Sequence, residues 1–359
     1  MSFEPRNILV TGGAGFIGAN FVHHWLARGG EGHLIVLDAL TYAGNLASLA
    51  GLERNPRYRF VRGDICDEAA VSALMEQQHI DTIVHFAAES HVDRSIHGPD
   101  EFIRTNVVGT HALLKVAKTL WLERKLVPVH RFHHVSTDEV YGTLGPLDPP
   151  FHEASPYAPN SPYSASKAGS DHLVRAYHET YGLETTVTNC SNNYGPYQFP
   201  EKLIPLVIIN ILSAKPLPIY GDGRQVRDWL HVADHCRAIE LALMRGKAGA
   251  VYNVGGNAET ANIEIVRALC SLLDERRSGA GDPAARAADL ISHVRDRPGH
   301  DRRYAINFDK ARRELGFAPA RDLAAGLRAT VDWYLANTGW WRPLLGRDYA
   351  AWLAKNYEP

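Results

Sequence analysis

Short apolar runs alternate with amphipathic stretches through the first half of the chain. Asn7 to Thr11, His33 to Leu37, Tyr58 to Val61, Thr82 to His85, Arg131 to Ser136 and Thr185 to Thr188 read as strands, because each is short, β-branched or aromatic, and bounded by polar or turn residues. Helical periodicity fills the gaps, most clearly over 101–123 and 161–181. Strands that alternate with helices predict a parallel sheet with helices on both faces. After about residue 190 the texture changes to many Pro, Gly and aromatic residues with shorter elements. Two later pieces, a helix Val232 to Met244 and a strand Ala250 to Val254, read as a return to the first sheet. The run Leu203 to Leu212 contains Pro205 and Asn210 and falls far short of the ~20 apolar residues that cross a bilayer, so it is expected to be a core helix. The segment from Arg276 to Ala288 reads as an exposed connection. No internal repeat or coiled-coil heptad interrupts this order.

The first strand carries a sharper signal at its end. Val10-Thr11 leads directly into Gly12-Gly13-Ala14-Gly15-Phe16-Ile17-Gly18 and then an amphipathic stretch through Arg28. Glycine at 12 and 15 lets a pyrophosphate approach backbone N–H groups and the positive end of a helix, and Gly18 lets that helix pack closely. The second strand ends in Asp38, near the ~20-residue interval at which an acid meets the adenosine ribose hydroxyls. A carboxylate there repels a 2′-phosphate, which favours NAD over NADP. The fold class is therefore α/β, a Rossmann-type doubly wound parallel sheet with a smaller C-terminal α+β lobe. The expected division is 1–190 plus about 228–254 for the NAD-binding unit, and about 191–227 and 255–359 for the second lobe.

A chain of 359 residues with 45% hydrophobic content can bury a large core. Lys+Arg 38 against Asp+Glu 40 leaves almost no net charge, so no global field draws in nucleic acid or an acidic membrane. Cys66, Cys190, Cys236 and Cys270 form no CxxC pair, which argues against a zinc site or a disulfide framework. The glycine turn interrupts the first apolar run, so no signal peptide is expected, and a reduced cytoplasmic setting fits best. Asn189-Cys190-Ser191 matches a glycosylation sequon only by chance, since it ends an interior strand. His23-His24 and His133-His134 are adjacent pairs whose side chains diverge, and no metal site is expected.

Chemistry concentrates in Val135-Ser136-Thr137-Asp138-Glu139-Val140-Tyr141-Gly142 and in Tyr163-Ser164-Ala165-Ser166-Lys167. Tyr163 and Lys167 share a helical face about one turn apart, roughly 6 Å. The ammonium, together with a nicotinamide cation, is expected to lower the phenol pKa so that Tyr163 takes a proton from a sugar hydroxyl. Thr137, at a strand end, can hold that hydroxyl.

These motifs, with Ala87-Ala88-Glu89-Ser90-His91-Val92-Asp93-Arg94-Ser95, Asn189 to Pro205, Gln225 to His231 and Asp296-Arg297-Pro298-Gly299-His300, resemble the extended short-chain dehydrogenase/reductases, and within them the dTDP-glucose 4,6-dehydratases. The resemblance spans nearly the whole chain. The glycine and YxxxK motifs are shared across the superfamily, whereas Thr137-Asp138-Glu139 is the specific element. It implies oxidation at C4 of dTDP-glucose by NAD, loss of water across C5 and C6, and reduction at C6. Glu139 as carboxylate would remove the C5 proton, and Asp138, kept protonated, would donate to the leaving C6 hydroxyl. It also implies cofactor contacts at Phe16, Ile17, Thr41, Asp64, Ile65, Ala87, Ala88, Ser90, Thr105 and Asn193. Implied substrate contacts are Ser90, Thr137, Asn192, Lys202, Leu203, Pro218, Ile219, Tyr220, Arg227, Asn262, Arg297 and His300. Arg227 and Arg297 would grip phosphate through forked donors, and Tyr220 would offer its ring to a base. A homodimer through the 101–123 and Tyr163 helices is implied too.

A nucleotide-sugar 4-epimerase, or a dehydratase with another base, would share Tyr163, Lys167 and NAD; the adjacent acids separate them. A non-catalytic NAD-binding protein would not be expected to keep both Tyr163 and Lys167.

Overall fold

In a computed structural model, the structure describes residues 3–279, 286–346, 349–350 and 352–353. The strands are β1 (Asn7–Thr11), β2 (His33–Asp38), β3 (Tyr58–Arg62), β4 (Thr82–His85), β5 (Arg131–Thr137), β6 (Thr185–Cys190), β7 (Asn192–Tyr194), β8 (Leu217–Tyr220), β9 (Val226–His231), β10 (Ala250–Val254), β11 (Glu259–Ala261) and β12 (Ile291–Val294). Seven of them build one sheet in the order β10-β6-β5-β4-β1-β2-β3, with every pairing parallel. The fold is the expected Rossmann-type doubly wound sheet. Its strand order reverses between β1 and β4, and such a switch point opens a crevice beyond the strand ends.

Both faces of the sheet are covered, which is why β4, β5 and β6 are buried at every residue, whereas edge strand β3 is only partly buried. On one face Phe21, Val22 and Trp25 of the helix Phe16–Ala27 pack with Val232, Cys236 and Ile239 of the helix Val232–Arg245. On the other, Leu74, Met75, Leu113, Leu114 and Val174 form a second core. Burying each such side chain contributes about 1.5–3 kcal/mol. Residues 228–231, expected with this sheet, pair instead in a three-stranded sheet β11-β9-β7. The return therefore begins at the helix Val232–Arg245 and ends in β10 beside β6.

The stretch 101–123 is continuous helix from Asp100, but two parts of it, Ile103–Gly109 and Lys118–Glu123, are wound as π-helix. Within the first lies Asn106, whose amide bonds the backbone of Glu89 (2.9 and 3.0 Å) and the Ser166 hydroxyl (2.8 Å). A locally widened helix is a common device where side chains must be aimed at a site. The second lobe packs around Leu203–Leu212, which is the expected core helix. Its Val207, Ile208 and Ile211 meet Val266 and Leu269 of the helix Asn262–Gly279 and Val331 of Leu323–Ala336. The connection expected over Arg276 to Ala288 lies partly outside the described residues. Its first part continues the Asn262–Gly279 helix, where Arg276 pairs with Asp332 (2.7 Å). Among the described residues no helix is long and apolar enough to cross a membrane.

Candidate active site

The crevice at the β1/β4 switch is a cavity of about 330 Å³ that continues across the ends of β5 and β6. Its first wall is the glycine turn. Gly12 has φ +69°, and a Cβ there would lie 2.5 Å from the Ala87 nitrogen, so only glycine fits between the ends of β1 and β4. A Cβ on Gly18 would fall 2.3 Å from the Gly12 carbonyl oxygen, which shows that the helix packs on the turn itself. Gly15 caps the helix and faces the cavity. Asp38 is buried beside it and accepts from the N–H groups of Ala14 (2.9 Å) and Leu40 (2.8 Å). Burial raises its pKa, while those two bonds pull the other way.

Thr41, Asp64, Ile65, Ala87, Ala88, Ser90, Thr105 and Asn193 also line this cavity, as do Phe16 and Ile17. Asp64 is partnered by Arg104 and by the Cys66 N–H (2.9 Å). The Asn193 amide is held from both ends, donating to the Ser191 carbonyl (2.9 Å) and meeting His235 Nδ1 (3.0 Å). A slot with a glycine turn, a helix N-terminus and an acid at the ribose distance fits a dinucleotide.

The far end carries the acids. β5 runs straight into a single 3₁₀ turn, Asp138–Tyr141, capped by Thr137, whose Oγ1 accepts from the Glu139 N–H (3.3 Å). Asp138 is 1% exposed and its Oδ2 has no hydrogen-bond partner among the described residues. Burial first, and then the neighbouring Glu139 and Asp228, push Asp138 well above the usual carboxylate range. Glu139 is also raised by burial, but Arg297, Arg227 and Lys202 work against that rise. Three cations thus favour the ionised form of Glu139, whereas two carboxylates favour the protonated form of Asp138. Environments that drive two acids apart are how one site holds a proton donor and a proton acceptor.

Opposite them stands the helix Pro162–Tyr181. Ser161 caps it in a reciprocal capping box with Ser164, Pro162 occupies its first turn, and Gly182 closes it with φ 74°. Such a cap is worth ~1 kcal/mol and fixes Tyr163 in the first turn. Tyr163 and Lys167 both line the cavity. Without the nicotinamide cation, the Tyr163 phenol is pushed well above its ordinary value, by burial first and then by Glu139, with a hydrogen bond to Thr137 opposing. The Lys167 ammonium donates to the Val135 carbonyl (2.9 Å), and burial lowers its own pKa.

Ser90, Thr137, Asn192 and Lys202 line the same cavity; Lys202 Nζ donates to the Ser90 carbonyl (3.0 Å), and Asn192 Oδ1 is buried without a partner among the described residues. The remaining expected substrate residues lie outside its lining. Arg297 and Tyr220 both bond Asp93, at 2.9 and 3.1 Å, and the Tyr220 ring sits 6.0 Å from that of His300. Ile219 and Leu203 are packed with the lobe core, Pro218 precedes Ile219 on β8, and Asn262 starts the helix after β11 with its Oδ1 buried. Arg227 donates to the carbonyls of Val226 (2.8 Å) and Asp301 (2.9 Å) and stacks 4.3 Å from the Tyr304 ring, which uses two of its five N–H donors.

A family model described as GDP-mannose 4,6 dehydratase matches residues 9–330. The chain belongs to this family. Among relatives, the dTDP-glucose 4,6-dehydratase of Xanthomonas campestris pv. campestris (strain B100) is 58% identical over 347 residues, covering 95% of this chain and 96% of that one. The dTDP-glucose 4,6-dehydratase of Neisseria meningitidis is 55% identical over 96% of this chain and 97% of its own length. The solved dTDP-glucose 4,6-dehydratase of Streptomyces venezuelae with NAD bound superposes with a TM-score of 0.86 at 49% identity, covering 94% of this chain and 99% of that one.

For this family member, several cavity residues carried no signal that sequence reasoning used. Glu201 is buried, and its partner Arg94 (3.0 Å) stacks 3.9 Å from the Tyr42 ring. Glu89 is pushed up to about 7, by burial first. Arg94 and Glu89 sit inside the Ala87–Ser95 motif, and Glu201 adjoins Lys202. That adjacency was the available clue.

Proposed function

We infer that this chain is a dTDP-glucose 4,6-dehydratase, converting dTDP-glucose to dTDP-4-keto-6-deoxyglucose with recycled NAD. The observation that carries the reading is the adjacent acid pair, Asp138 beside carboxylates and Glu139 beside three cations, facing Tyr163 across one cavity. Full-length relatives bearing that name support the choice of sugar nucleotide. The glycine turn and Asp38 would hold NAD, which would supply hydride acceptance at C4 and hydride return at C6.

The chain's own residues handle the protons. Thr137 holds the C4 hydroxyl while Tyr163, helped by the field of Lys167, removes its proton. The C4 carbonyl acidifies the C5 hydrogen, and Glu139 takes that proton as Asp138 donates to the departing C6 hydroxyl. Glu139, after exchanging its proton with solvent, returns one to C5; at product release Tyr163 gives up the proton it took from the C4 hydroxyl and Asp138 regains the one it lost to water, which closes the cycle. Of the expected nucleotide contacts, Arg297 and Arg227 suit the diphosphate and Tyr220 the base, and both arginines also favour the ionised form of Glu139. A homodimer in the cytoplasm completes the reading; Ile103 and Val108 stand about half exposed on the 100–123 helix, next to the Tyr163 helix.

Purified protein incubated with dTDP-, UDP-, GDP- and CDP-hexoses in heavy water tests this. The dTDP-glucose product should lack one water and carry solvent deuterium at C5. Unchanged mass with inverted C4 would mark a 4-epimerase instead.

A further inference from the structure

Behind the site, on the side of Lys167 away from the cavity, lies a sealed polar cluster. Asp171 is one helical turn beyond Lys167 and is 4% exposed. Its Oδ2 accepts from the Ser136 hydroxyl and the Tyr157 phenol, both at 2.9 Å. Its Oδ1 lies 3.1 Å from His134 Nε2, without the alignment of a hydrogen bond. The same His134 nitrogen is 3.4 Å from Lys167 Nζ. An ammonium has only protons to give, so one imidazole nitrogen cannot satisfy both neighbours at once.

Lys167 is itself only 4% exposed and has a single close acceptor, the Val135 carbonyl. Fully buried ammonium groups lose their proton unless a negative charge stands near. His134 cannot supply one. Burial first, and then Lys167, hold that imidazole neutral, and His85 beyond it is held neutral too, by burial and the same charges. Cys190 on β6 faces Lys167 as a thiol whose pKa burial raises, so it is uncharged. Around Asp171 the other facing groups are Tyr157, whose phenol burial raises, the exposed His172, and Ser136. Asp171 is left as the ionised acid of the cluster, with its own pKa at about 6.

We propose that Asp171 is a positioning residue for the reaction: its carboxylate, fixed by Ser136 and Tyr157, keeps the buried Lys167 charged and so keeps Tyr163 able to take the C4 proton. This role rests on the proposed C4 oxidation. It falls to a third residue of the helix, Tyr163-x-x-x-Lys167-x-x-x-Asp171, whose side chain does not line the cavity.

The test is the pH dependence of the first half-reaction, read as the transient NADH absorbance after mixing NAD-loaded protein with dTDP-glucose. In Asp171→Asn, whose amide still accepts from Ser136 or Tyr157, the alkaline edge of that rate should move down by roughly 1 to 3 pH units. Asp171→Glu should return it toward the wild-type position. Tyr157→Phe removes a hydrogen bond but no charge, and should lower the melting temperature while leaving the edge in place. An unmoved edge in folded Asp171→Asn, or an equal shift in Tyr157→Phe, overturns the proposal. If the asparagine variant does not fold, Asp171→Ser carries the same expectation and the same refutation. Absence of transient NADH in the wild-type chain would instead refute the reaction itself.

Discussion

Asp138 and Glu139 are like charges side by side on one turn, whereas Tyr163 and Lys167 couple a phenol to a cation along one helix. Both pairs face one cavity, yet burial serves the first and opposes the second. Burying two acids together makes one shared proton cheaper than two charges, which creates a donor and an acceptor from identical chemistry. For the couple, burial raises the phenol and lowers the ammonium, both away from the reactive forms. The acid pair thus gains a proton donor from burial itself, with Arg297, Arg227 and Lys202 deciding which acid stays ionised, while the couple needs charge around it to overcome burial.

The contrast should break most sharply at Tyr163. Tyr163→Phe is expected to slow C4 oxidation by roughly 10²–10⁴-fold, read by stopped-flow absorbance, while water loss from supplied dTDP-4-keto-glucose survives. Asp138→Asn should do the reverse, leaving C4 oxidation near normal and slowing elimination by about 10²-fold. The elimination rate of the wild-type chain should fall as pH rises through the raised pKa of Asp138, and that edge should vanish in the asparagine variant. A smaller effect belongs to the cofactor end, where the two backbone N–H bonds of Asp38 are at stake: Asp38→Asn should weaken NAD about tenfold in a titration, near ~1.4 kcal/mol.

The smallest concerns stability. Because the folded pKa of Asp138 lies above its unfolded value, its contribution is full at pH below the unfolded pKa and is lost as pH rises through the folded one. At neutral pH the buried carboxyl is therefore a burden, and Asp138→Asn should raise the melting temperature by about 2 °C in calorimetry. A lowered melting temperature would mean that the acid is stabilising and not strained for function.

Local patterns made half of this molecule readable. β1, β4 and β10 have apolar centres, and the glycine turn follows β1 directly with Gly18 packed on Gly12 six residues before it, so sequence spacing carries it even though Gly12 also meets Ala87. The acid turn was readable for a similar reason, since Thr137, Asp138 and Glu139 are consecutive at a strand end. The second lobe was not, because β7, β8, β11 and β12 have three or four residues each, too few for alternation to show. Long-range pairings were hidden as well: Asp93 meets Arg297 across 204 positions. The backbone partners of Arg227, the carbonyls of Val226 and Asp301, were equally invisible to spacing. Spacing also revealed the cation beside Tyr163 but not the depth of its burial.

Everything in the reaction turns on the cofactor first making a C4 ketone that the acid pair then exploits, and single-turnover mixing of NAD-loaded Glu139→Gln with dTDP-glucose separates those two events. NADH absorbance should rise and persist, with no dehydrated sugar in the quenched sample. Full conversion to the 4-keto-6-deoxy product, or no NADH at all alongside normal substrate binding, would contradict it.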